Sequence, residues 1–239
     1  MAKYIHRFNS EQNGSDYISN RYEEPFVACL DGYNYVFYNI YGLNGHDYVN
    51  LGLPSGNVWA TCNVGASNPE GYGDYFAWGE VSTKSSYTWE NYIYGSGTYS
   101  KYNDTDGLKR LQKTDDPAAV NMSGHWRIPS TLDIQELIDE TTQSWETLNG
   151  VNGKRFTGSN GNSIFIPAGG YKSNSSTNYS GTSGFLWTAK IGIDNQIANG
   201  TFFNIGNSTY SGSLNTMSRF VGCPVRGVIG NGPTESPIK

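Results

Sequence analysis

Three cysteines in 239 residues, Cys29, Cys62 and Cys223, are too few and too scattered for a disulfide framework. No two of them stand at metal-ligand spacing, and they read as buried thiols acting as small hydrophobes. Charge is scarce as well, at 15% of residues, and Asp and Glu (21) outnumber Lys and Arg (16) for a net charge of −5. That balance leaves no basic footprint for nucleic acid. No apolar run approaches a bilayer span, so membrane insertion is not expected. The opening "MAKYIHRFNSEQNGSDY" lacks the apolar stretch of a secretory leader. The chain is therefore expected to be made in the cytosol and, if it works outside the cell, to leave by another route. No repeat of fixed period stands out.

What is present is glycine (30) and tyrosine (18), the profile of a loop-rich β protein. A disordered chain would carry more charge and fewer aromatics, and this length can bury a core without staples. Residues 1–47 are polar with isolated large side chains, Tyr4, Ile5, Phe8, Tyr17 and Tyr22. They read as an arm that orders against a partner or another subunit, followed by a hairpin in which Asp31-Gly32 joins "FVACL" to "YVFYNIY". From Tyr48 the strand signals become dense. "YVNLGL" and "NVWATCNVG" flank a "PSG" turn, and "GYGDYFAWGEV" sets four aromatics in a glycine-rich frame. Residues 82–121 read as a long polar excursion of surface loops.

"GHWRIPSTLDIQELIDE", Gly124 to Glu140, breaks that texture. Pro129 stops what precedes it, Ser130 is a good N-cap, and Asp133 favours the positive end of a helix. Ile134, Leu137 and Ile138 follow i, i+3, i+4 spacing and make one narrow apolar face. "KRFTG" and "NSIFIP" around "SNG" then predict a hairpin, and residues 168–184 predict a loop. "FLWTAKI", "QIANGTFFNIG", "STYSGSL" and "VGCPVRGVI" predict closing strands, and 231–239 a tail. The expected class is α+β: short antiparallel strands, one or two helices and long loops over 48–230, preceded by the arm and hairpin.

Chemistry is hard to find in this pattern. His6, His46 and His125 are isolated from catalytic or ligand partners. "YNDTDGLKRLQK" has Asp104, Asp106 and Gly107 but fails an EF-hand at Tyr102 and Lys113, so an Asp-Gly turn is the reading. Glu80, Glu90 and Glu136 favour no glycosidase pair, and Ser130 lacks a nucleophile elbow. No catalytic residue, metal or cofactor is assigned. The segment from Lys190 to Arg219 mixes adaptable polar side chains with apolar anchors, as paratopes do. Its candidate contact residues are Lys190, Asp194, Asn195, Gln196, Asn199, Asn204, Asn207, Tyr210, Asn215 and Arg219. The same residue types also fill ordinary hairpin turns.

"LGLPSGNVWATCNVGA", "EGYGDYFAWGE", "GHWRIPSTLDIQELID", "NGVNGKRFTGSNGNSIFIPAGGY" and "VRGV" resemble the Fibrobacter succinogenes major paralogous domain, abundant in gut Bacteroidetes and their phages. The resemblance covers roughly 48–229. It implies a C-type-lectin-like fold, related to formylglycine-generating enzymes and to the variable proteins of diversity-generating retroelements. "KYIHRF", "YEEPFVACL" and "YNYVFYN" are similar to the leading segments of Bacteroides phage structural proteins. Together these imply a non-enzymatic virion protein whose arm docks on other virion proteins. Its lectin-like domain is expected to bind a host-surface protein or glycan, and the assembly to be a homo-oligomer, a trimer by preference. A structural cement without ligand is the alternative, and an enzyme of the formylglycine-generating type, using Cys62 and Cys223, is a more distant one. The family's calcium-dependent sugar tripeptides do not occur, since Trp187-Thr188-Ala189 stands at the corresponding strand. In the implied fold Trp126, Ile134, Leu137 and Ile138 are frame, and the polar C-terminal segment is display.

Overall fold

A computed structural model describes residues 5–8, 26–30, 33–37, 45–96, 98–192, 199–206 and 213–230. The chain divides into two compact units, Met1–Tyr48 and Val49–Lys239.

In the first unit β1 (Ile5–Phe8), β2 (Phe26–Leu30) and β3 (Tyr33–Phe37) form an antiparallel sheet in the order β1-β3-β2. Leu30 lies opposite Tyr33, the register of a two-residue connection, as the Asp-Gly pair predicts. Part of the expected arm is in this sheet. Its segment Ile5–Phe8 pairs along the other side of β3, Ile5 against Phe37 and Phe8 against Asn34. Tyr4, Tyr17 and Tyr22 lie outside the described residues.

The second unit is built of small antiparallel sheets with two short α-helices among its described residues. β4 (Tyr48–Asn50), β5 (Val58–Asn63) and β16 (Arg226–Ile229) form one sheet in the order β16-β5-β4, so the end of the domain closes on its beginning. β6 (Gly95–Ser96) and β7 (Thr98–Tyr99) are a minimal pair. β8 (Thr141–Leu148), β9 (Val151–Gly158) and β10 (Ser163–Pro167) make a meander. Its first strand extends the hairpin expected from Lys154 onward. Asn149 (φ 48°) and Gly150 (φ 84°) turn β8 into β9, the positive-φ pair that suits the strand twist. β11 (Tyr171–Ser173) and β12 (Ser176–Asn178) form a hairpin where the composition predicts a loop. β13 (Ser183–Ile191), β14 (Asn199–Gly206) and β15 (Ser213–Ser218) form the last antiparallel sheet.

Helix α1 (Pro117–Asn121) has Pro at its start and the Asp116 side chain as cap. Helix α2 (Thr131–Asp139) starts at the predicted N-cap, Ser130, which with Asp133 forms a capping box. Ser130 Oγ accepts the Asp133 N–H at 3.1 Å, and the Asp133 carboxylate accepts the Ser130 N–H at 2.6 Å. Buried Asp133 also accepts from Asn57 Nδ2 at 2.7 Å and from Arg127 at 2.6 and 3.1 Å. One side chain thus fixes the helix start, the preceding strand-like segment and the Ser55–Asn57 turn. Ile134 and Leu137 pack fully into a core with Trp59, Phe156, Ile166, Leu186 and Val228, and Ile138 lies at its margin. Trp126 is also buried, beside Gly227, where a Cβ would stand 2.9 Å from its ring and 2.6 Å from Met122 Sδ. That approach requires glycine.

Residues 82–121 are largely irregular, as expected, but they are not confined to the surface. Tyr87, Tyr92 and Tyr102 are buried, and Tyr87 and Tyr92 join Tyr75 and Ala77 in a second core flanked by Trp89, Tyr94, Tyr99 and Phe220. Each buried phenol satisfies its hydroxyl. Tyr92 donates to Trp78 O at 2.7 Å and Tyr75 to Gly169 O at 2.6 Å; Tyr87 donates to Tyr75 O and Tyr102 to Asp115. Irregularly spaced rings leave no period in the sequence, so the core they form does not announce itself there. Among the described residues no helix is long and apolar enough to cross a membrane.

Candidate functional site

The structure places the expected display residues differently from one another. Asp194, Asn195, Gln196, Asn207 and Tyr210 lie outside the described residues. Asn199 and Asn204 are placed by backbone register in β14, opposite Ser218 and Ser213 of β15. Asn215 of β15 is exposed, and its Oδ1 accepts the Thr216 N–H at 2.8 Å. Lys190, half-buried near the end of β13, stands opposite Arg110 in an isolated antiparallel bridge.

Arg219 overturns its assignment to the display surface, because it is 0% exposed. Its Nε donates to Tyr92 Oη at 3.0 Å, Nη1 to Tyr102 O at 3.1 Å and Nη2 to Lys101 O at 2.9 Å. Its guanidinium carbon lies 4.4 Å from the Tyr99 ring centre, 4.9 Å from that of Trp78 and 5.5 and 5.8 Å from those of Tyr92 and Tyr102. A planar, weakly hydrated cation between aromatic faces is the arrangement in which arginine tolerates burial. Arg219 directly follows β15 and so fastens the base of the β14–β15 hairpin to the second core. A second buried arginine, Arg226, holds three strands together. It donates to Asn63 Oδ1 at 2.8 Å, Ala60 O at 2.9 Å, Thr61 O at 2.5 Å and Phe165 O at 2.9 Å. Burial pushes its pKa down to about 10, still charged at neutral pH.

A cleft of about 490 Å³ opens between the segment around Arg110, the end of α1 and the stretch leading into α2. Arg110, Lys113, His125 and Arg127 line it, with Asp116 and Trp126. Asp116 is 6% exposed. One of its oxygens caps α1 through the N–H groups of Ala118 (2.8 Å) and Ala119 (3.1 Å), and the other accepts from Ile128 N at 2.8 Å. Burial raises its pKa to about 6 against the opposing pull of those N–H groups. Arg127 is bound to Asp133, whose carboxyl burial alone would raise. The guanidinium and the Ser130 hydrogen bonds outweigh that and hold it below the ordinary range.

Sequence reasoning missed this cleft. Arg110 and Lys113 sit in "LKRLQK", weighed there only against a calcium loop. That loop is a turn: Asp106 accepts the N–H groups of Tyr102, Asn103 and Leu108 at 2.6, 3.0 and 2.9 Å. Among the described residues no three His, Cys, Asp or Glu side chains are grouped to hold a metal ion. Cys223 is fully buried, and burial pushes its thiol well above the ordinary value, which keeps it protonated and unreactive. Comparison of the chain with protein-family models, with curated proteins and with solved structures found no match.

Proposed function

We propose that the chain is a non-enzymatic virion protein of a phage, in which a C-type-lectin-like domain presents a contact surface to a host-cell protein or glycan. The observation that carries the display half is the use of buried polar chemistry. Arg219, Arg226, Asp116 and Asp133 are each consumed in fastening strands, caps and loops. A frame tied internally in this way lets exposed positions, such as Asn215 and Thr216 of β15, vary in side chain without loss of the fold. The lectin-like assignment and the virion setting rest on the sequence resemblance. The first unit, compact in itself, serves as the attachment piece and the trimer contact, and multivalent display lets a weak single-site affinity suffice.

The test is binding of the purified full chain to Bacteroides cells, with the chain lacking residues 1–47 compared for incorporation into particles. Cell binding by the full chain, and a folded but unincorporated truncation, are expected. A full chain that binds no cells, from particles that fall apart without it, identifies a cement instead.

A further inference from the structure

Among the described residues Tyr179 is the most exposed large hydrophobic side chain, at 61%. It is not a stray ring. Its centre lies 5.9 Å from that of Tyr171 and 6.3 Å from that of Phe185, and the latter two rings meet edge to face at 5.1 Å. Phe185 is buried, Tyr171 half-buried and Tyr179 exposed, so the three rise as one aromatic step from core to solvent. The backbone beneath the outer ring is held in an uncommon state. Tyr179 has φ 59°, a region that bulky side chains rarely enter and that persists only where the surroundings fix it. Here Tyr179 O accepts the N–H groups of Thr182 (3.1 Å) and Ser183 (3.0 Å) and the Thr182 hydroxyl (3.0 Å). The β11–β12 hairpin is tied down as well. Asn174 at its turn exchanges hydrogen bonds of 2.9 Å with Tyr87, and Lys172 exchanges bonds of 2.7 and 2.9 Å with Gly222. An aromatic side chain on a fixed backbone gives contact area at little entropic cost.

The surroundings specify the chemistry of the contact. From Ser173 to Ala189 the sequence carries no charge. Lys172 alternates to the face of β11 away from Tyr171, and its ammonium lies 4.7 Å from the Tyr75 ring centre. Asn174, Ser175, Ser176, Thr177, Ser180 and Thr182 are exposed in the same hairpin and the turn after it. An ionic ligand finds no counter-charge in this segment, and a purely apolar one leaves the hydroxyl and amide groups unused. A neutral polyol with an apolar face suits both. The C–H groups on one face of a pyranose carry slight positive charge and meet the negative face of an aromatic ring, while its hydroxyls exchange hydrogen bonds with Ser, Thr and Asn. The register of β13 sets Ser183 opposite Gly206, so the turn that holds Tyr179 adjoins the end of β14, within the expected display segment.

We propose that Tyr179, backed by Tyr171, stacks on the C–H face of a neutral pyranose, with the Ser, Thr and Asn side chains of residues 174–182 meeting its hydroxyls. The ligand class is argued from the patch, and its place on a host surface rests on the glycan-binding reading above.

Ligand-observed NMR titration of the full chain with cellotriose, maltotriose and mannotriose tests it, beside trigalacturonic acid and a triproline peptide. At least one neutral trisaccharide is expected to bind, with saturation passing from the protein most strongly to the C–H protons of one ring face. Tyr179→Asn removes the ring but keeps a residue that tolerates positive φ. Its melting temperature should stay close to the native value while affinity falls about tenfold or more, the scale of truncating an aromatic contact residue. Tyr179→Phe keeps the ring face and should retain binding. Ile93→Ser, equally exposed at 60% but outside this ring cluster, should bind as the native chain does. Binding of no neutral trisaccharide, saturation spread evenly over the sugar, unchanged affinity in Tyr179→Asn, or tighter binding of the acidic sugar or the peptide overturns the site. Host cells bound equally by native and Tyr179→Asn chains, with no trisaccharide bound, overturn the site while display stands. Trisaccharide binding that Tyr179→Asn abolishes, in a chain that binds no cells, sinks the display reading and leaves the site.

Discussion

Arg219 separates a frame residue from a display residue by measurement. Replacing it with Ala removes three donors and leaves the carbonyls of Tyr102 and Lys101 in a buried slot, at about 1–3 kcal/mol for each group left unsatisfied. Tyr92 loses less, because its hydroxyl still donates to Trp78 O at 2.7 Å. The space vacated among Trp78, Tyr92, Tyr99 and Tyr102 adds a cavity cost, about 2–5 kcal/mol for large-to-small changes in a core. Against these stands the relief of no longer desolvating a guanidinium, several kcal/mol. The balance is a loss of about 3–5 kcal/mol. For a unit of this size each kcal/mol moves the melting temperature about 2–4 °C, so a fall of roughly 6–20 °C is expected. Urea unfolding followed by tryptophan fluorescence is the assay, since Trp78 faces the guanidinium. Arg219→Met fills the slot without charge or donors. It should recover the cavity part and leave a deficit of about 2 kcal/mol from the unsatisfied carbonyls. If Arg219→Ala lies within 1 kcal/mol of the native protein, the buried anchor is wrong and the surface assignment returns.

Ser130→Ala removes the α2 cap and should cost about 1 kcal/mol in the same assay, the usual value for such a cap. Leu137→Ala, at 0% exposure in the main core, should cost about 2–5 kcal/mol, whereas Leu132→Ala, on the exposed side of the same helix, should change stability by less than about 0.5 kcal/mol. Asp116 imposes a pH dependence of unusual sign. Its folded pKa of about 6 exceeds the ordinary 3.8, so between these values the native state holds the proton more firmly than the unfolded chain. Its contribution to stability therefore falls as pH rises from about 4 to about 6 and levels off above that. Urea midpoints measured across this window should show Asp116→Asn lacking that component relative to the native chain. An unchanged difference between the two proteins at every pH would refute the assignment.

Much of the secondary structure was legible because its causes are local. Ser130, Asp133 and the Ile134-Leu137-Ile138 spacing specify a helix within ten residues of chain, and the structure places the helix and its capping box there. Asp31-Gly32 likewise marks the β2–β3 connection. Asn149-Gly150 carries the same kind of signal for β8–β9, but "TTQSWETL" ahead of it has only weak apolar alternation, and its side chains are half-exposed. The hairpin at 171–178 lay hidden in a Ser- and Asn-rich composition shared by loops and exposed strands.

The sequence by itself determined the strand-rich class, the one well-capped helix with its buried face and the scarcity of obvious catalytic chemistry, since each depends on neighbours in the chain. Only the tertiary structure decided that Arg219 is buried, that the tyrosines of 82–121 join a core, and that Arg110, Lys113 and Asp116 line one cleft. Those outcomes depend on groups distant in sequence supplying each other's hydrogen bonds and displacing each other's water. An arginine or tyrosine carries no local mark of whether such partners will arrive.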